Sequence, residues 1–595
     1  MKNKKFKKGL PKNDHSNKFQ KPKELVKGNG YYYIVGLAII ILLGTIIYSN
    51  SFNCPFQFDD ILKIVNNPNI RNLSDVSACW KGNSSRPIAM LTFALNYHFN
   101  QLDVWYYHLM NLFIHLINTC LVWWLTLLIF SSPNLKNQSI IKHKKAIAFV
   151  TALLFVTHPL ATESVTYIVQ RMASLACLFY FLSLSLYVYA RLTDKSKTLK
   201  YLLFAGSFVS AVLAMLSKEN AFTLPFAIML FEIFFLRTKR LSINYKDYRF
   251  ILLMAAFIGF ILIVLLKYSS NIFKPIPPDL TNDYRTVTSL NYLFTQFSVI
   301  VKYIQLLFLP INQNFDYDFP ISHTIFEPRT LISFFFILSL IALAIFLFKR
   351  GRIISFGIFW FFLTLSIESS FIPISDLIFE HRTYLPSYGF FLILSSGIYV
   401  LFWNKYKYIA ISILVIIIGS NSFLTYERNK VWKDEFIFWN DVLLKSPLKA
   451  RPHFNRGNSF NRLKKYKQAL DEYNKAIELK PNFIDAYNNR GTVFININRN
   501  DDALNDFNKV IELNPKYFGA YFNRGGILFD QKKYEDAINN YSMVIILKPD
   551  YADAYYNRGL AEYYFDKKDN ACMDLQKAFS LGFQPANDFI NQYCH

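Results

Sequence analysis

Along the first 425 positions, long apolar runs alternate with short polar or basic loops, and beyond Tyr426 an amphipathic helical period takes their place. A helix rises about 1.5 Å per residue, so roughly 20 apolar residues cross the ~30 Å hydrocarbon core of a bilayer. Runs over 31–49, 109–130, 146–162, 172–190, 201–217, 221–236, 249–267, 331–348, 354–372, 385–402 and 408–425 meet or approach that length, which predicts eleven spans. No small-residue cleavage pattern follows the first run, so it reads as an anchor. A twelfth segment, 292–310, carries Gln296, Lys302 and Gln305 and reads as re-entrant or interfacial.

The second pattern is a repeat. Asn-Arg-Gly recurs with its glycines at Gly457, Gly491, Gly525 and Gly559, 34 residues apart, and Ala469, Ala503, Ala537 and Ala571 follow twelve residues later. Pro481, Pro515 and Pro549 close the first three units. A 34-residue helix-turn-helix with small residues at the crossing is the tetratricopeptide signature. Tyr473, Phe507, Tyr541 and Leu575 are the residues expected to fill each crossing. Four repeats over 448–583 are predicted, joined to the membrane part by a connecting helix over 426–447 and followed by a capping tail, 584–595. Such units stack into a solenoid that presents a docking groove. The repeated asparagines Asn455, Asn489, Asn523 and Asn557 are the candidate partner-binding side chains. Cys572 and Cys594 fall on adjacent predicted helices, where a disulfide would staple the cap; Cys54 and Cys79, in the first long loop, are a weaker pair.

Composition fits this picture. Of 595 residues, 53% are apolar and only 18% charged, and mean hydropathy is positive despite the polar last third, which excludes a compact soluble enzyme. The net charge of +24 is not a nucleic-acid footprint, because its lysines and arginines sit in clusters between apolar runs. Short basic loops stay cytoplasmic. The arm 1–30 holds ten lysines, and Lys142 to Lys145, Arg191 to Lys200, Arg237 to Arg240, Lys349 to Arg352 and Lys405 to Lys407 share its side if 292–310 does not cross. Eleven crossings then place the repeats outside.

The candidate chemistry lies at the opposite, external boundary. Asp59 and Asp60 stand in the first long loop, and one of two adjacent carboxylates is suited to accept a proton. Arg86, His158, Glu163, Arg171, Lys218, Glu219, Glu380, Arg382 and Tyr384 share that side. Ionisable groups beside spans usually face a protein interior or wet cavity, and cationic ones suit a phosphate. Asp316 and Asp318 are weak metal candidates, and no motif specifies a divalent metal. Phosphate-binding loops, zinc-protease motifs and dinucleotide fingerprints do not occur in the chain.

In combination, Phe58-Asp59-Asp60, Arg86-Pro87 with Leu91-Thr92-Phe93, His108 to Asn111 with His115, His158-Pro159 with Glu163 and Arg171, Lys218-Glu219, and Glu380 to Pro386 resemble the transmembrane and tetratricopeptide-repeat proteins and their bacterial relatives. The resemblance covers nearly the whole chain beyond the basic arm. It implies an all-α chain: a polytopic transmembrane domain of the C-type glycosyltransferase (GT-C) kind over 31–425, then the repeat solenoid. It also implies a lipid-linked cofactor, a polyprenyl-phosphate sugar, whose sugar (mannose in the eukaryotic branch) passes to a protein acceptor on the non-cytoplasmic face. By that resemblance Asp59 and Asp60 form the acidic motif and one is the general base; charge and sidedness make the other external residues donor-binding candidates. Lysine, asparagine and isoleucine richness looks bacterial, which implies a multi-pass inner-membrane location with a cytoplasmic N-terminus and external repeats. Two other readings follow from the residues: a non-catalytic membrane scaffold that recruits proteins through its repeats, and a transporter with cytoplasmic repeats.

Overall fold

The computed structural model describes residues 30–237 and 287–594, apart from Ser84, Asn137 and Asn404, and the regular structure of these residues is helical. Seven helices are long and apolar enough to cross a membrane: Gly30–Tyr48, Val104–Phe130, Ile168–Leu192, Lys197–Met215, Glu219–Leu236, Pro328–Phe346 and Lys407–Lys433. An eighth, Ser139–Thr157 with Pro159–Val165, bends by 55° at its break. Proline has no N–H to continue the ladder, and the His158 imidazole accepts the freed Leu160 N–H instead. Arg352–Leu365 and Ser387–Trp403 are shorter apolar helices. Ten of the eleven expected spans thus coincide with apolar helices, and the run 249–267 lies outside the described residues.

Burial orders these helices. The Val104–Phe130 and Ile168–Leu192 spans are 67% buried and form the centre, whereas Lys197–Met215, at 17%, turns its apolar side chains outward to the surroundings. Side-chain hydrogen bonds stitch the interior where water is absent, including Thr151 to Ser395, Thr126 to Tyr388 and Ser183 to the Ser207 carbonyl. Where the Arg352–Leu365 and Ser387–Trp403 helices cross, backbone touches backbone: a Cβ on Gly389 would lie 2.4 Å from the Gly357 carbonyl oxygen. Gly389→Val is therefore expected to force the pair apart and lower the yield of folded, monodisperse protein in detergent. An unchanged melting temperature would show that the crossing adjusts freely.

The segment expected to be re-entrant or interfacial is a 20-residue helix, Ser289–Phe308. At its start Tyr292 donates to the Glu368 carbonyl, and near its end the Leu307 carbonyl faces the His158 imidazole at 3.1 Å. Both ends thus meet the same polar layer of the domain.

The repeats form four helix pairs from Ala450–Arg462 to Lys568–Ser580, and Pro585–Tyr593 caps the last. Ala469, Ala503, Ala537 and Ala571 are fully buried. Each repeat glycine makes room for the residue expected at its crossing, since an added Cβ would lie 2.7 Å from Tyr473, 2.9 Å from Phe507, 2.9 Å from Tyr541 or 3.1 Å from Leu575. A disulfide joins Cys572 to Cys594, while Cys54 and Cys79 are free and buried. Reducing that bond is expected to loosen the cap helix, read as faster proteolysis after residue 580. An unchanged cleavage pattern would make the bridge mechanically idle.

The arginine of Asn-Arg-Gly, more than its asparagine, ties the stack. Arg490 reaches forward to Asp506 in its own repeat and back to Asn474 in the preceding one; Arg524 bridges Asn540 and Asn508, and Arg558 bridges Asp574 and Ser542. The pattern begins one helix early. Arg456 spans Glu472 and Asn440, and Asn440 lies on the Glu435–Lys445 helix. The segment expected as one connecting helix over 426–447 is instead the end of the last long helix plus this separate half-repeat. The solenoid therefore starts against the membrane domain, two residues beyond the last span.

Candidate functional site

The two aspartates of the first loop divide their roles. Asp60 is buried; one of its oxygens accepts the Val169 N–H at 2.7 Å and the other the Gln57 N–H at 3.0 Å. Burial pushes its carboxyl up to about 8 against those two donors. One oxygen pins the loop to the start of the Ile168–Leu192 helix, and the other closes the loop on its own Gln57. Asp59 is held only through its backbone N–H, which donates to the Tyr167 hydroxyl at 3.1 Å. Among the described residues no hydrogen bond occupies its carboxylate. Burial and the like charge of Asp376 raise its pKa, and Arg451, Lys63 and Arg86 oppose that rise. A carboxylate half-removed from water, unbonded and with its pKa raised suits a general base.

Phe58 delivers Asp59. Its φ of 49° lies in the left-handed region, which costs a non-glycine residue about 1 kcal/mol or more and persists where packing imposes it.

Arg451, Lys63 and Arg86 are the cations whose charge acts on this carboxylate. Arg86, at the start of the Pro87–Asn100 helix, pairs with Glu219 at 2.9 Å, and both side chains remain about one-third exposed. Lys218 pairs with Glu368 at 2.6 Å, both buried. Burial lowers the Lys218 pKa, Glu368 resists, and Arg86 lowers it further, so the two cations lie within reach of one another. His381 donates its backbone N–H to Glu163 at 2.7 Å and pairs its Nδ1 with the same oxygen at 3.0 Å; the other Glu163 oxygen is buried without a partner. Burial and then Lys218, Arg382 and Arg86 hold His381 well below its usual value, leaving it neutral.

The remaining residues predicted from sequence are scaffolding by geometry. Arg171 is fully buried and donates to Asn111 and Asn96 at 2.6 Å each, to the Tyr107 carbonyl at 3.0 Å and to the Thr92 carbonyl at 3.2 Å. Arg382 donates to the Asp376 and Leu377 carbonyls at 2.6 and 3.2 Å and so fastens the loop that carries Asp376. Glu380 accepts from Gln313, Tyr317 and the Asn314 N–H, between 2.6 and 2.8 Å. His158 and Tyr384 lie deeper; the Tyr384 hydroxyl meets His115 Nδ1 at 2.6 Å and Asn118 at 3.2 Å. Asp316 is taken up by Lys449 and Arg451, while Asp318 meets Ser446 through its backbone N–H. No group of three His, Cys, Asp or Glu side chains among the described residues is arranged to hold a metal ion. Asn455 and Asn557 donate to carbonyls of their own helices, and Asn489 to Asn458. Asn523 is half-buried.

Sequence reasoning missed Lys63, Asp376 and Arg451. Asp376 stands in an irregular loop with no periodicity to mark it, and Arg451 lies in what the sequence presents as ordinary repeat helix. A crevice between the 316–321 segment, residues 375–378 and Lys449 opens beside this layer.

These features define a multi-pass, membrane-span-rich helical protein whose polar layer carries a tetratricopeptide solenoid. Family models described as TPR repeat match residues 457–497 and 525–563, and one described as Tetratricopeptide repeat matches 484–517. The resemblance to the transmembrane and tetratricopeptide-repeat proteins holds over about three quarters of the chain. It is 28% identical over 490 residues to the protein O-mannosyl-transferase F38B6.6 of Caenorhabditis elegans, covering 78% of this chain and 65% of that one. It is 25% identical to the human protein O-mannosyl-transferase TMTC1, covering 74% and 54%. The chain thus spans between about half and two thirds of the length of these relatives. Among solved structures, the TPR protein YrrB is 25% identical, covering 28% of this chain and 83% of that one, with a TM-score of 0.23.

Proposed function

We infer that this chain is a membrane glycosyltransferase that moves a sugar, mannose by its relatives' names, from a polyprenyl-phosphate donor to a hydroxyl of a protein acceptor on the non-cytoplasmic face. The observation that carries the reading is Asp59, an unbonded, partly desolvated carboxylate in the field of Arg86, with Lys218 in turn in the field of Arg86. In the transfer, the acceptor oxygen attacks the anomeric carbon as its proton passes to Asp59. The bond from that carbon to the phosphate oxygen breaks, and the polyprenyl phosphate leaves with the electron pair. Leaving is favoured when fixed cations stabilise the charge that develops on the phosphate. Arg86 and Lys218 are the cations placed for this; both must loosen from Glu219 or Glu368 to meet it. Glu163, His381 and Glu380 orient the floor of the site, and Arg171, Arg382, His158 and Tyr384 hold its walls. The repeats, with Asn455, Asn489, Asn523 and Asn557 along their first helices, bring the acceptor protein.

Sidedness has two supports. Arg191, Arg237 and Arg352 gather at the end of the bundle remote from Asp59, where Arg191 pairs with Glu232 and Arg352 donates to the Phe234 carbonyl. The disulfide of the cap belongs to an oxidising compartment.

The test is transfer from a polyprenyl-phosphate mannose in proteoliposomes. Lys218→Met is expected to raise the donor KM by about tenfold or more, whereas Lys467→Met, a change on an outer repeat helix, leaves it unchanged. Equal donor KM in both variants would remove Lys218 from the donor site.

A further inference from the structure

The first repeat does more than dock beside the polar layer. Arg451, the second residue of the Ala450–Arg462 helix, donates Nε to Asp316 at 2.6 Å and Nη2 to Asp376 at 2.8 Å. Its guanidinium also stacks 5.0 Å from the ring of Phe58. That ring packs edge-on against Trp439 of the half-repeat at 6.1 Å and against Phe315 at 5.4 Å. Phe58 is the residue with the left-handed backbone, and Asp59 follows it. Lys449 holds the same Asp316, Lys445 donates to the Gln313 carbonyl at 2.7 Å, and Ser446 sits between Asn314 and the Asp318 N–H. The repeat side therefore supplies both an aromatic contact on the strained residue, Trp439, and the cation that pairs with Asp376 and acts on Asp59.

We propose that the start of the repeat domain is a built-in part of the transfer site, with Arg451 and Trp439 as positioning residues that hold Phe58 in its left-handed conformation and so present the Asp59 carboxylate. This rests on the reading of Asp59 as the base. A consequence is that acceptor binding in the solenoid and proton removal at Asp59 share one rigid joint, so any movement of the first repeat is felt at the base. A displacement of about 1 Å in a reacting group costs up to ~100-fold in rate, which sets the scale of that coupling.

The charges facing Asp59 come from four elements: Lys63 on its own loop, Arg86 at the start of the Pro87–Asn100 helix, Asp376 on the 366–386 loop and Arg451 on the repeat, with Asp60 and the Tyr167 hydroxyl adjacent in the same loop contact. Removing Arg451 withdraws a charge that lowers the Asp59 pKa and frees Asp376, which raises it. Removing Asp376 does the opposite.

The experiment is a pH–rate series on the full-length protein in proteoliposomes, using polyprenyl-phosphate mannose and the native acceptor pool, for wild type, Arg451→Met, Arg451→Lys, Asp376→Asn and Asp59→Asn. Arg451→Met is expected to lower kcat about tenfold or more with the donor KM unchanged, and to move the acid limb to higher pH. Arg451→Lys recovers part of kcat. Asp376→Asn moves the acid limb to lower pH, and it keeps the Arg451–Asp316 pair if Arg451→Met should fail to fold. Limbs that stay in place in both charge variants, with Asp59→Asn inactive, would overturn the proposal and reduce these contacts to interdomain glue. Full activity of Asp59→Asn would instead overturn the reading of Asp59 as the base, on which the proposal rests.

Discussion

Asp59→Asn is expected to reduce sugar transfer by at least about 100-fold while leaving membrane insertion and the melting temperature unchanged, because a positioned general base contributes ~10²–10⁴. The carboxylate it replaces accepts no hydrogen bond from the described protein, so its loss leaves no donor stranded. Asp60→Asn fails differently. One of the two backbone N–H groups that now meet a carboxylate oxygen would face an amide NH₂, at a cost of about 1–3 kcal/mol, and the loop would detach from Val169. Its activity loss is therefore expected together with increased proteolysis of the first loop. Since Asp59 is the group that must be deprotonated and its pKa is raised, the rate should fall as pH drops through a value above the ordinary carboxylate range. Wild-type rates in Asp59→Asn, or equal loop stability in both variants, would contradict the division between the two residues.

Arg171→Met is expected to lose the fold before it loses any donor affinity. Four acceptors, the Asn96 and Asn111 side chains and the Thr92 and Tyr107 carbonyls, would be left without their donor in a site that water does not reach. The guanidinium also lies over Phe93 at 4.6 Å and Tyr107 at 5.6 Å. Leaving several buried polar groups unsatisfied costs roughly 3–5 kcal/mol in total, a large share of the stability of a domain. Lysine cannot restore the fork of planar donors, so Arg171→Lys should rescue poorly. Thermal unfolding in detergent, followed alongside donor titration, separates the outcomes. A variant that melts with wild type but needs more donor would make Arg171 a phosphate ligand.

The sequence shows most clearly what periodic burial dictates. Apolar runs announce the spans, because nothing else places so many phenylalanines and isoleucines together, and the 34-residue spacing announces the repeats, because each glycine makes room for the large side chain that crosses it. Long-range partners are invisible to such patterns. Arg171 and Lys218 look alike as buried cations beside helices. Only the fold shows that one is saturated by neutral acceptors while the other holds a single carboxylate. In the same way Asp59 and Asp60 are indistinguishable in the chain, and they separate once Val169 and Gln57 are seen to claim the second. Asp376 and Arg451 carry no local signal at all, since their meaning arises from a loop and a repeat that meet across 75 residues. The half-repeat escaped notice because it has only the second helix of the motif and lacks the Asn-Arg-Gly that marks the others.

The central claim, transfer of a sugar to protein by the Asp59 site, is tested most directly by glycopeptide mass spectrometry of membrane and exported proteins from host cells that express either wild-type chain or Asp59→Asn at matched levels. The account predicts hexose-modified serine or threonine peptides that are present with wild type and absent with the variant. Identical glycopeptide profiles from the two strains would contradict it and leave the molecule a membrane-anchored scaffold for the partners of its repeats.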